Sequence, residues 1–295
     1  PLPALAAANG GAPGAMDVGM ASEYPEDDGG GGGGASGEPA ATPVAEGSLA
    51  ERMADKAWKT RRSAYAELAE LLSGEGAPAA EFATYAPLMA RAAKDGNASA
   101  LVTAMQAVAA FVEHGPKAVV SDVAGAVCAS LVAGGFNSRK AATVETAVAA
   151  VLSFIEVGAG EPAVTELLAG LRSKKPAVPP VCISTLRQAV ECFGVPDVPP
   201  KPLLAQLPTL LESTKAKVRA EAKPLAVELY RWLREVVTGK LQELRPSTLK
   251  ELEAAFAATG GADAPAPVPT RYTRAARPKN FTARGGSGGG AGGGG

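Results

Sequence analysis

Residues 98–112, ASALVTAMQAVAAFV, decide the fold class of this 295-residue chain. Six apolar residues of this stretch recur at α-helical spacing and fall on one stripe; they are Leu101, Val102, Met105, Val108, Ala109 and Val112. A β-strand would instead alternate apolar and polar residues. The stretch is therefore predicted to form an amphipathic helix with one face in a core.

A second stripe of the same kind runs through residues 218–237. Its members are Val218, Ala222, Leu225, Ala226, Leu229, Trp232, Leu233 and Val236. Trp232 lies on this stripe and is predicted to be a core residue. Alternating β-branched runs bounded by Asn-Gly turns are absent from the sequence, so an all-α fold is expected.

Breaking residues divide the middle of the chain into helix pairs. Long, proline-containing breaks such as Gly115-Pro116 separate the pairs, and shorter breaks such as Gly134-Gly135 lie inside them. The predicted pairs are about 49–56 with 58–73, 79–94 with 97–114, 117–133 with 137–157, 161–171 with 178–193, and 201–211 with 215–237, followed by a final helix at 246–258.

The breaks inside the pairs recur at a regular spacing. They carry Trp58-Lys59, Asn97, Asn137 with Lys140, Lys174-Lys175, and Lys215, Lys217 and Arg219. Counted from residues 58, 97, 137, 174 and 215, their spacings are 39, 40, 37 and 41 residues. A period near 40 made of helix pairs is typical of HEAT repeats, so the sequence predicts an all-α solenoid of five stacked helix pairs closed by the final helix. In such a stack the breaks inside the pairs share one edge, which is predicted to be a docking surface.

Composition sets the domain limits. Residues 1–48 contain seven acidic residues and no Lys or Arg, and residues 259–295 are basic at first and then almost pure glycine. Both are predicted to be disordered or linker segments, because they offer little apolar surface to bury. The folded domain is predicted at 49–258, where 24 basic and 22 acidic residues nearly cancel. That balance argues against general nucleic-acid binding.

The sequence also argues against an enzyme, a metal site or a cofactor. His114 is the single histidine, and Cys128, Cys182 and Cys192 form no CxxC pair. The cysteines are predicted to be buried thiols in a reducing compartment. The glycine runs lack the Lys-Ser/Thr of a phosphate loop. No secretory signal and no uninterrupted apolar run of about 20 residues is found, so an intracellular protein without membrane insertion is expected.

Beyond these general features, Glu212-Ser213 and the stretch VRAEAKPLAVELYRW at 218–232 closely resemble the fifth repeat of TOG domains in the chTOG/Stu-type microtubule polymerase family. The likeness covers about 49–275 and includes DKAWKTR at 55–61, Phe136-Asn137 with Lys140, LKELE at 249–253 and PTRY at 269–272. The Pro-Thr-Arg segment after the last helix is most similar to the first, N-terminal TOG domain of such a protein.

This resemblance implies an all-α TOG paddle of about six HEAT repeats. It also implies that the paddle binds the αβ-tubulin heterodimer, preferably curved and unpolymerised, through the edge described above. Trp58 would contact β-tubulin, and Arg219 would lie nearer α-tubulin. The full predicted set is Trp58, Lys59, Asn97, Asn137, Lys140, Lys174, Lys175, Lys215, Lys217 and Arg219. A monomeric domain is expected, in the cytoplasm and cytoskeleton at microtubule plus ends, the spindle and the microtubule-organising centre. The basic segment 271–284 would assist contact with the microtubule lattice.

Two points stay open at this stage. The charged neighbours of Trp58 allow either a core residue or an exposed anchor, and only the resemblance favours the anchor. A generic HEAT-repeat scaffold with a partner other than tubulin is the alternative function.

Pro179 and Pro180 depart from the family pattern, and the helix is expected to begin at one of them after a lengthened fourth corner.

Overall fold

Twelve α-helices and one short 3-10 turn lie in residues 47–74, 76–261 and 264–276, the parts of the chain that a computed structural model describes. The helices are α1 (Leu49–Met53), α2 (Trp58–Ser73), α3 (Ala79–Ala92), α4 (Ala98–His114), α5 (Lys117–Ala133), α6 (Ala141–Val157), α7 (Gly160–Gly170), α8 (Val178–Asp197), α9 (Pro200–Leu211), α10 (Ala216–Leu233), α11 (Glu235–Leu241) and α12 (Pro246–Ala258). The 3-10 turn is Gly135–Asn137. Within these residues no strand occurs, and the all-α prediction is confirmed.

The helices stack in two layers. Helices α2, α4, α6, α8, α10 and α12 pack side by side in one layer, and the odd-numbered helices form the other. Each odd-numbered helix from α1 to α9 also packs against the helix that follows it. Five hairpins therefore stack, and α11, which packs against α9 and α10, and α12, which packs against α10, complete the predicted solenoid of about six HEAT repeats.

The core follows the apolar stripes, with one systematic difference in α4. Met105, Val108 and Val112 are fully buried as predicted, whereas Val102 is exposed. The small residues Ala100, Ala104 and Ala107 are buried instead, because α4 is enclosed by α2, α3 and α6. Alanine side chains are small enough to let neighbouring helices approach closely. A stripe of apolar residues on one face of the sequence does not reveal this burial of the other faces.

A single arginine divides the predicted helix 215–237. Arg234 adopts a φ of 48°, which ends α10 at Leu233 and starts the short helix α11. Its guanidinium donates hydrogen bonds to the carbonyl oxygens of Gly261, at 2.6 Å, and Ala264, at 2.9 Å. These tertiary contacts hold a backbone conformation that costs a non-glycine residue about 1–2 kcal/mol. Val236 consequently leaves the predicted stripe and is 55% exposed.

The fourth corner is shorter than the two prolines suggest. Helix α8 begins at Val178, so Pro179 and Pro180 occupy its first turn. Proline is tolerated there because the first helical N–H groups have no partner inside the helix. The expected start at one of the prolines is late by one or two residues.

Helix α5 and the 3-10 turn after it form a long apolar segment. Residues Lys117–Asn137 reach a mean hydropathy of 1.7, enough by length and composition to cross a membrane, and half of this window is buried in the domain. Helix α5 packs between α3 and α7 and against α6. In this structure it is a core helix of the solenoid.

The segment 264–276, named the strap here, departs from the prediction of a linker at 259–295. The backbone N–H of Arg271 donates to the Cys192 carbonyl at 2.8 Å, and that of Arg274 donates to the Glu156 carbonyl at 2.7 Å. Thr273 is buried. The strap thus runs along the solenoid edge where the pairs join, and two of the arginines expected at the microtubule lattice form contacts within the domain there.

Residues 277–295, with the rest of that basic segment, lie outside the described residues. So does the predicted disordered segment 1–48, except for Gly47 and Ser48.

The cysteine predictions hold for two of three thiols. Cys128 and Cys182 are buried, and burial raises the pKa of Cys182 to about 12. Cys192 is only half-buried: it packs against the edge of the core, and its backbone carbonyl accepts a hydrogen bond from the strap.

Gly194 ends the regular part of α8 with a φ of 76°, and a Cβ atom there would lie 2.6 Å from the Trp232 ring. Trp232 packs against the core and donates its indole N–H to Glu228 at 3.0 Å. The position therefore requires glycine both for its backbone conformation and for the close approach of the indole.

Gly194→Ala is expected to lower the free energy of unfolding by about 2–4 kcal/mol, from the positive φ and from overpacking. Urea denaturation provides the measurement. Gly239→Ala is the matched control: it lies in α11 with no atom within 4 Å of an added Cβ, and should gain about 0.5–1 kcal/mol. Equal stability of Gly194→Ala and the wild type would show that the packing described here is wrong.

Candidate partner-binding edge

The five loops inside the hairpins share one backbone turn. In each, a Ser or Asp side chain accepts a hydrogen bond from the backbone N–H two residues later, at 2.6–3.3 Å. The acceptors are Asp55, Asp95, Ser138, Ser173 and Ser213, and the donors are Ala57, Asn97, Lys140, Lys175 and Lys215. Such turns let a short polar side chain replace a missing backbone partner. We call the loops 54–57, 93–97, 134–140, 171–177 and 212–215, with the first turn of the helix after each, the corner edge.

Contacts between the loops show that the corner edge is continuous. Arg61 at the first loop binds Asp95 at the second. The Lys175 ammonium at the fourth loop donates to the Ala133 carbonyl at the third, at 2.9 Å. At the opposite edge, the strap joins the ends of α4, α6 and α8, and Trp232 of α10 covers Gly194 of α8. Since α4, α6, α8 and α10 thus end at the same edge, they also begin together at the other.

The turns bring basic residues to their tips. The residue between the acceptor and the donor of each turn is exposed, and in three of the five loops it is a cation: Lys56, Arg139 and Lys174. Only Lys174 belongs to the set predicted from the sequence. Lys56 and Arg139 were missed, although the Ser or Asp one position earlier marks each tip.

Trp58 lies at the first position of α2, next to the exposed Lys59. Its side chain is half-buried and is not among the residues packed against the hydrophobic core, unlike Trp232. The indole therefore lies on the corner edge between solvent and the domain surface. This placement agrees with the anchor interpretation of Trp58, whose role in binding stays a prediction.

A largely buried ion pair joins the first and second loops. The Arg61 guanidinium donates to both carboxylate oxygens of Asp95, at 2.6 and 2.8 Å, and the Tyr65 hydroxyl donates to Asp95 at 3.1 Å. Burial, together with the Asp95 charge, raises the pKa of Tyr65 to about 12. Burial alone would raise the pKa of Asp95, but hydrogen bonds from Arg61, the Asn97 N–H and Tyr65 hold it below its usual range.

Asn97 serves the fold at the second loop. Its side-chain oxygen accepts hydrogen bonds from the backbone N–H groups of Ser99, at 2.9 Å, and Ala100, at 3.1 Å. This is helix N-capping, which contributes about 1 kcal/mol. The acceptor oxygen of the predicted binding residue is thus already used within the domain.

The second and third loops enclose a shallow groove with a basic rim, to which the fourth loop adds one lysine. Its walls include Leu101 and Ala133, and its rim carries the predicted residues Asn137, Lys140 and Lys175 together with Lys94 and Arg139. Asn137, Arg139 and Lys140 are exposed. The Lys175 ammonium instead lies on the last carbonyls of α5, where a cation is favoured by the helix dipole. The structure therefore brings Asn137, Lys140 and Lys174 to an open surface, and uses Lys175 partly to join two repeats.

The fifth loop repeats the geometry of the first. Arg219 is the fourth residue of α10, as Arg61 is of α2, and each donates to the carbonyl of its turn acceptor: Ser213 at 2.6 Å and Asp55 at 2.9 Å. Within the part of the chain that the structure describes, Arg219 forms no ion pair that corresponds to Arg61–Asp95, and it stays half-buried at the surface. Lys215 and Lys217 beside it are exposed.

The acidic residues of the corner edge are engaged within the domain. Asp55 accepts the turn hydrogen bond, Asp95 binds Arg61, and Glu212 binds Arg245 at the start of α12. The exposed side chains that remain on this edge are therefore mostly cationic. An edge of this kind attracts an acidic partner and orients it.

Stacked helix hairpins with a row of cationic turns along one edge define a HEAT-type repeat protein. Residues 44–256 match the family model for the TOG domain of XMAP215/Dis1/CLASP proteins. The chain belongs to this family, as its resemblance to TOG domains implies.

Individual relatives agree with this assignment. The chain is 31% identical over 232 residues to the protein mini spindles of Drosophila melanogaster and 34% identical over 236 residues to the protein MOR1 of Oryza sativa. Each alignment covers 78% of this chain and only 11% of the relative. The spindle pole body component alp14 of Schizosaccharomyces pombe is 27% identical over 214 residues, which cover 71% of this chain and 26% of alp14.

Solved structures agree with the fold. A structure of tubulin recruitment and assembly by microtubule polymerases with TOG domain arrays aligns with a TM-score of 0.66 and 24% identity, covering 76% of this chain and 47% of its own. The third TOG domain of Drosophila mini spindles aligns with a TM-score of 0.60 and 19% identity, covering 76% of this chain and 97% of its own.

Asp95→Asn is expected to lower the free energy of unfolding at pH 7 by about 3 kcal/mol, because it leaves the 15%-exposed Arg61 side chain without its carboxylate. Since the pKa of Asp95 is lowered by folding, its contribution is present above about pH 4 and is lost as the pH falls through the lowered value. The difference between variant and wild type should therefore shrink in acid, as measured by chemical denaturation at several pH values.

Glu191→Gln is the control for this pair. It removes the carboxylate from the Arg187–Glu191 pair, whose side chains are 31% and 46% exposed, and should cost at most about 1 kcal/mol. A difference for Asp95→Asn that stays constant down to pH 2 would contradict the assignment of a charged Asp95.

Proposed function

We propose that the corner edge binds the αβ-tubulin heterodimer and that this chain is a tubulin-binding domain of a microtubule polymerase or plus-end regulator. Membership of the XMAP215/Dis1/CLASP TOG family supports this function, as do similar solved structures that concern tubulin recruitment and TOG–tubulin binding specificity. The chain spans about a tenth of mini spindles and MOR1, so the activity of the whole protein also belongs to the proposal.

The observation that carries the proposal is the combination of a half-exposed tryptophan and exposed cations on one edge. Exposed charge pairs contribute only about 0–1 kcal/mol each, so the cations mainly speed encounter and fix register. A tryptophan enclosed by a partner contributes about 2 kcal/mol or more. Trp58 would therefore supply much of the affinity.

The resemblance to TOG domains assigns an orientation. Trp58, with Lys59, would contact β-tubulin, and Arg219, with Lys215 and Lys217, would lie nearer α-tubulin. Asn137, Lys140 and Lys174 would contact the middle of the heterodimer. From the turn geometry we add Lys56 and Arg139, which occupy the same tip position as Lys174. Asn97 and Lys175 would contribute less, since their polar groups have partners inside the domain.

The proposed role is binding without covalent chemistry. The domain, itself a monomer, would capture soluble tubulin. Within a longer protein with further TOG domains, it would deliver the tubulin to a growing plus end.

Spindle and spindle-pole names among the relatives support a place in the cytoplasm, at plus ends, the spindle and the microtubule-organising centre. Neither nucleic acid nor a membrane is a proposed partner. A position as the first TOG domain of such a protein stays a prediction.

The alternative is a HEAT-repeat scaffold that uses the same edge for a different acidic partner. Both functions use the cations, but the tubulin proposal requires αβ-tubulin itself to bind and requires Trp58. A wild-type domain that does not co-elute with soluble αβ-tubulin in gel filtration would favour the scaffold.

Trp58→Ala is expected to weaken binding to soluble αβ-tubulin about 30-fold or more, because about 2 kcal/mol of interface burial is lost. Sedimentation velocity titrations with purified tubulin provide the affinity. Leu71→Ala is the control, since it removes a 37%-exposed apolar side chain from the other end of the same helix. Equal affinities for the two variants would contradict the anchor role of Trp58.

Lys140→Glu is expected to weaken tubulin binding about three- to tenfold at low ionic strength, mainly through a slower association rate. The loss should shrink above about 0.3 M salt, where exposed charges are screened. Lys201→Glu makes the same charge change at the exposed start of α9, on the opposite edge, and should have little effect. Stopped-flow association at two salt concentrations separates the variants, and an equal loss for both would refute a localised cationic edge.

A further inference from the structure

The strap contacts the ends of two neighbouring even-numbered helices. We call the layer of even-numbered helices the inner layer and that of odd-numbered helices the outer layer. Arg271 donates its backbone N–H to the Cys192 carbonyl near the end of α8, and its guanidinium binds Glu156 near the end of α6. The same guanidinium lies 5.2 Å from the centre of the Phe193 ring. One residue thus links the third and fourth repeats by a backbone hydrogen bond, an ion pair and a cation–π contact.

A second arginine extends the link to another repeat. The Arg274 guanidinium donates to carbonyl oxygens at the end of α4: Val112 at 2.9 Å, Glu113, and Gly115 at 3.4 Å. A cation at a helix C-terminus is favoured by the helix dipole and by the unpaired carbonyls there. Between the arginines, Thr273 is 7% exposed and fixes the strap against the domain.

The other end of the strap is attached to the fifth and sixth repeats. Arg234, between α10 and α11, holds the carbonyls of Gly261 and Ala264. Within the described residues, the strap and its attachment therefore run from the sixth repeat back to the second, along the edge opposite the corner edge.

The outer layer is interrupted in the region that the strap spans. Helices α7 and α9 leave a groove between them, lined by Val164, Leu168, Pro202 and Ala205, whereas α3, α5 and α7 pack closely. The fourth and fifth repeats are thus held together mainly by the inner layer. A small rotation at this junction would change the curvature of the whole stack, because solenoid curvature is the sum of rotations per repeat.

We propose that the strap is a brace that sets the curvature of the solenoid and, through it, the spacing of the five turns on the corner edge. Arg271 and Arg274 act as positioning residues, since they lie on the opposite edge. A brace along one edge limits the opening of that edge and fixes the distances along the other. The part of this inference that concerns affinity rests on the proposed binding of tubulin.

The physical benefit is preorganisation. A partner that bridges Trp58 and Arg219 needs both at a fixed separation, and a solenoid that samples several curvatures presents that separation only part of the time. If release of the strap reduces the binding-competent curvature to about 10–30% of the population, affinity falls about three- to tenfold. Every contact on the corner edge would remain chemically intact.

The direct test measures distances between corners without tubulin. Spin labels are placed on the exposed tips of the first and fifth loops through Lys56→Cys and Thr214→Cys, with Cys192→Ser; Cys128 and Cys182 are buried and do not react. Double electron–electron resonance is recorded for the original strap, for Arg271→Ala with Arg274→Ala, and for Arg271→Lys with Arg274→Lys. The control pair Arg187→Ala with Lys201→Ala removes two positive charges away from the strap.

A broader or shifted distance distribution in the double alanine variant, partly restored by the lysines and absent from the control pair, would support the brace. An unchanged distribution in a folded double alanine variant would overturn it. Glu156→Gln removes the ion pair with a smaller change and should broaden the distribution less; a thermal unfolding curve for each variant checks that it is folded.

Tubulin affinity of the unlabelled variants provides the second readout. The double alanine variant should bind about three- to tenfold more weakly than the wild type, and the control pair should bind equally. If the wild type binds tubulin and the double alanine variant binds with equal affinity, the link between strap and edge is overturned. A wild type that does not bind would overturn the proposed function, and the distance measurement would still decide the inference.

Discussion

Each hairpin must reverse the chain within a few residues and then start a helix whose first N–H groups have no partner. In this domain a Ser or Asp oxygen accepts the N–H two residues later in all five loops. That hydrogen bond fixes the direction in which the next helix leaves and exposes the residue in between. The character of the corner edge follows from which residue stands at this tip and in the first turn beyond it.

The same constraint explains why Arg61 and Arg219 look alike and differ in their surroundings. Both reach back to the carbonyl of the turn acceptor from the fourth position of a helix. Arg61 also forms an ion pair with a buried carboxylate of the next repeat, so its charge helps to join the two repeats. Arg219 keeps part of its guanidinium toward the surface. Equivalent positions in a repeat protein can thus serve the fold in one repeat and be available to a partner in another.

Much of the fold could be predicted from the sequence, because wide apolar stripes and Pro/Gly breaks specify helices locally. The bounds of α2, α5 and α12 are those predicted. Arg234 could not be predicted as a break, since the carbonyls that hold it lie 27 and 30 residues later. The strap was missed for a related reason: its Pro-rich sequence offers little apolar surface, and its arginines bind helix ends more than 110 residues away.

The candidate site was predictable in part. Periodic breaks identified the edge, and the placement of Trp58 outside the core agrees with the anchor interpretation. The capping role of Asn97 could have been inferred, since asparagine before a helix is a favoured N-cap. The exposed Lys56 and Arg139 could have been found from the recurring Ser or Asp one position earlier. The contact between Lys175 and the end of α5 could not, because it depends on how the third and fourth repeats stack.

The strap also determines where the chain leaves the domain. A polypeptide that ended at α12 would continue from the last repeat, but here Arg274 is bound to the end of α4. Whatever is joined beyond residue 276 is consequently tethered beside the second repeat, close in the stack to the Trp58 end. The reach of any attached module should therefore be measured from that point, beside the second repeat, and not from the sixth.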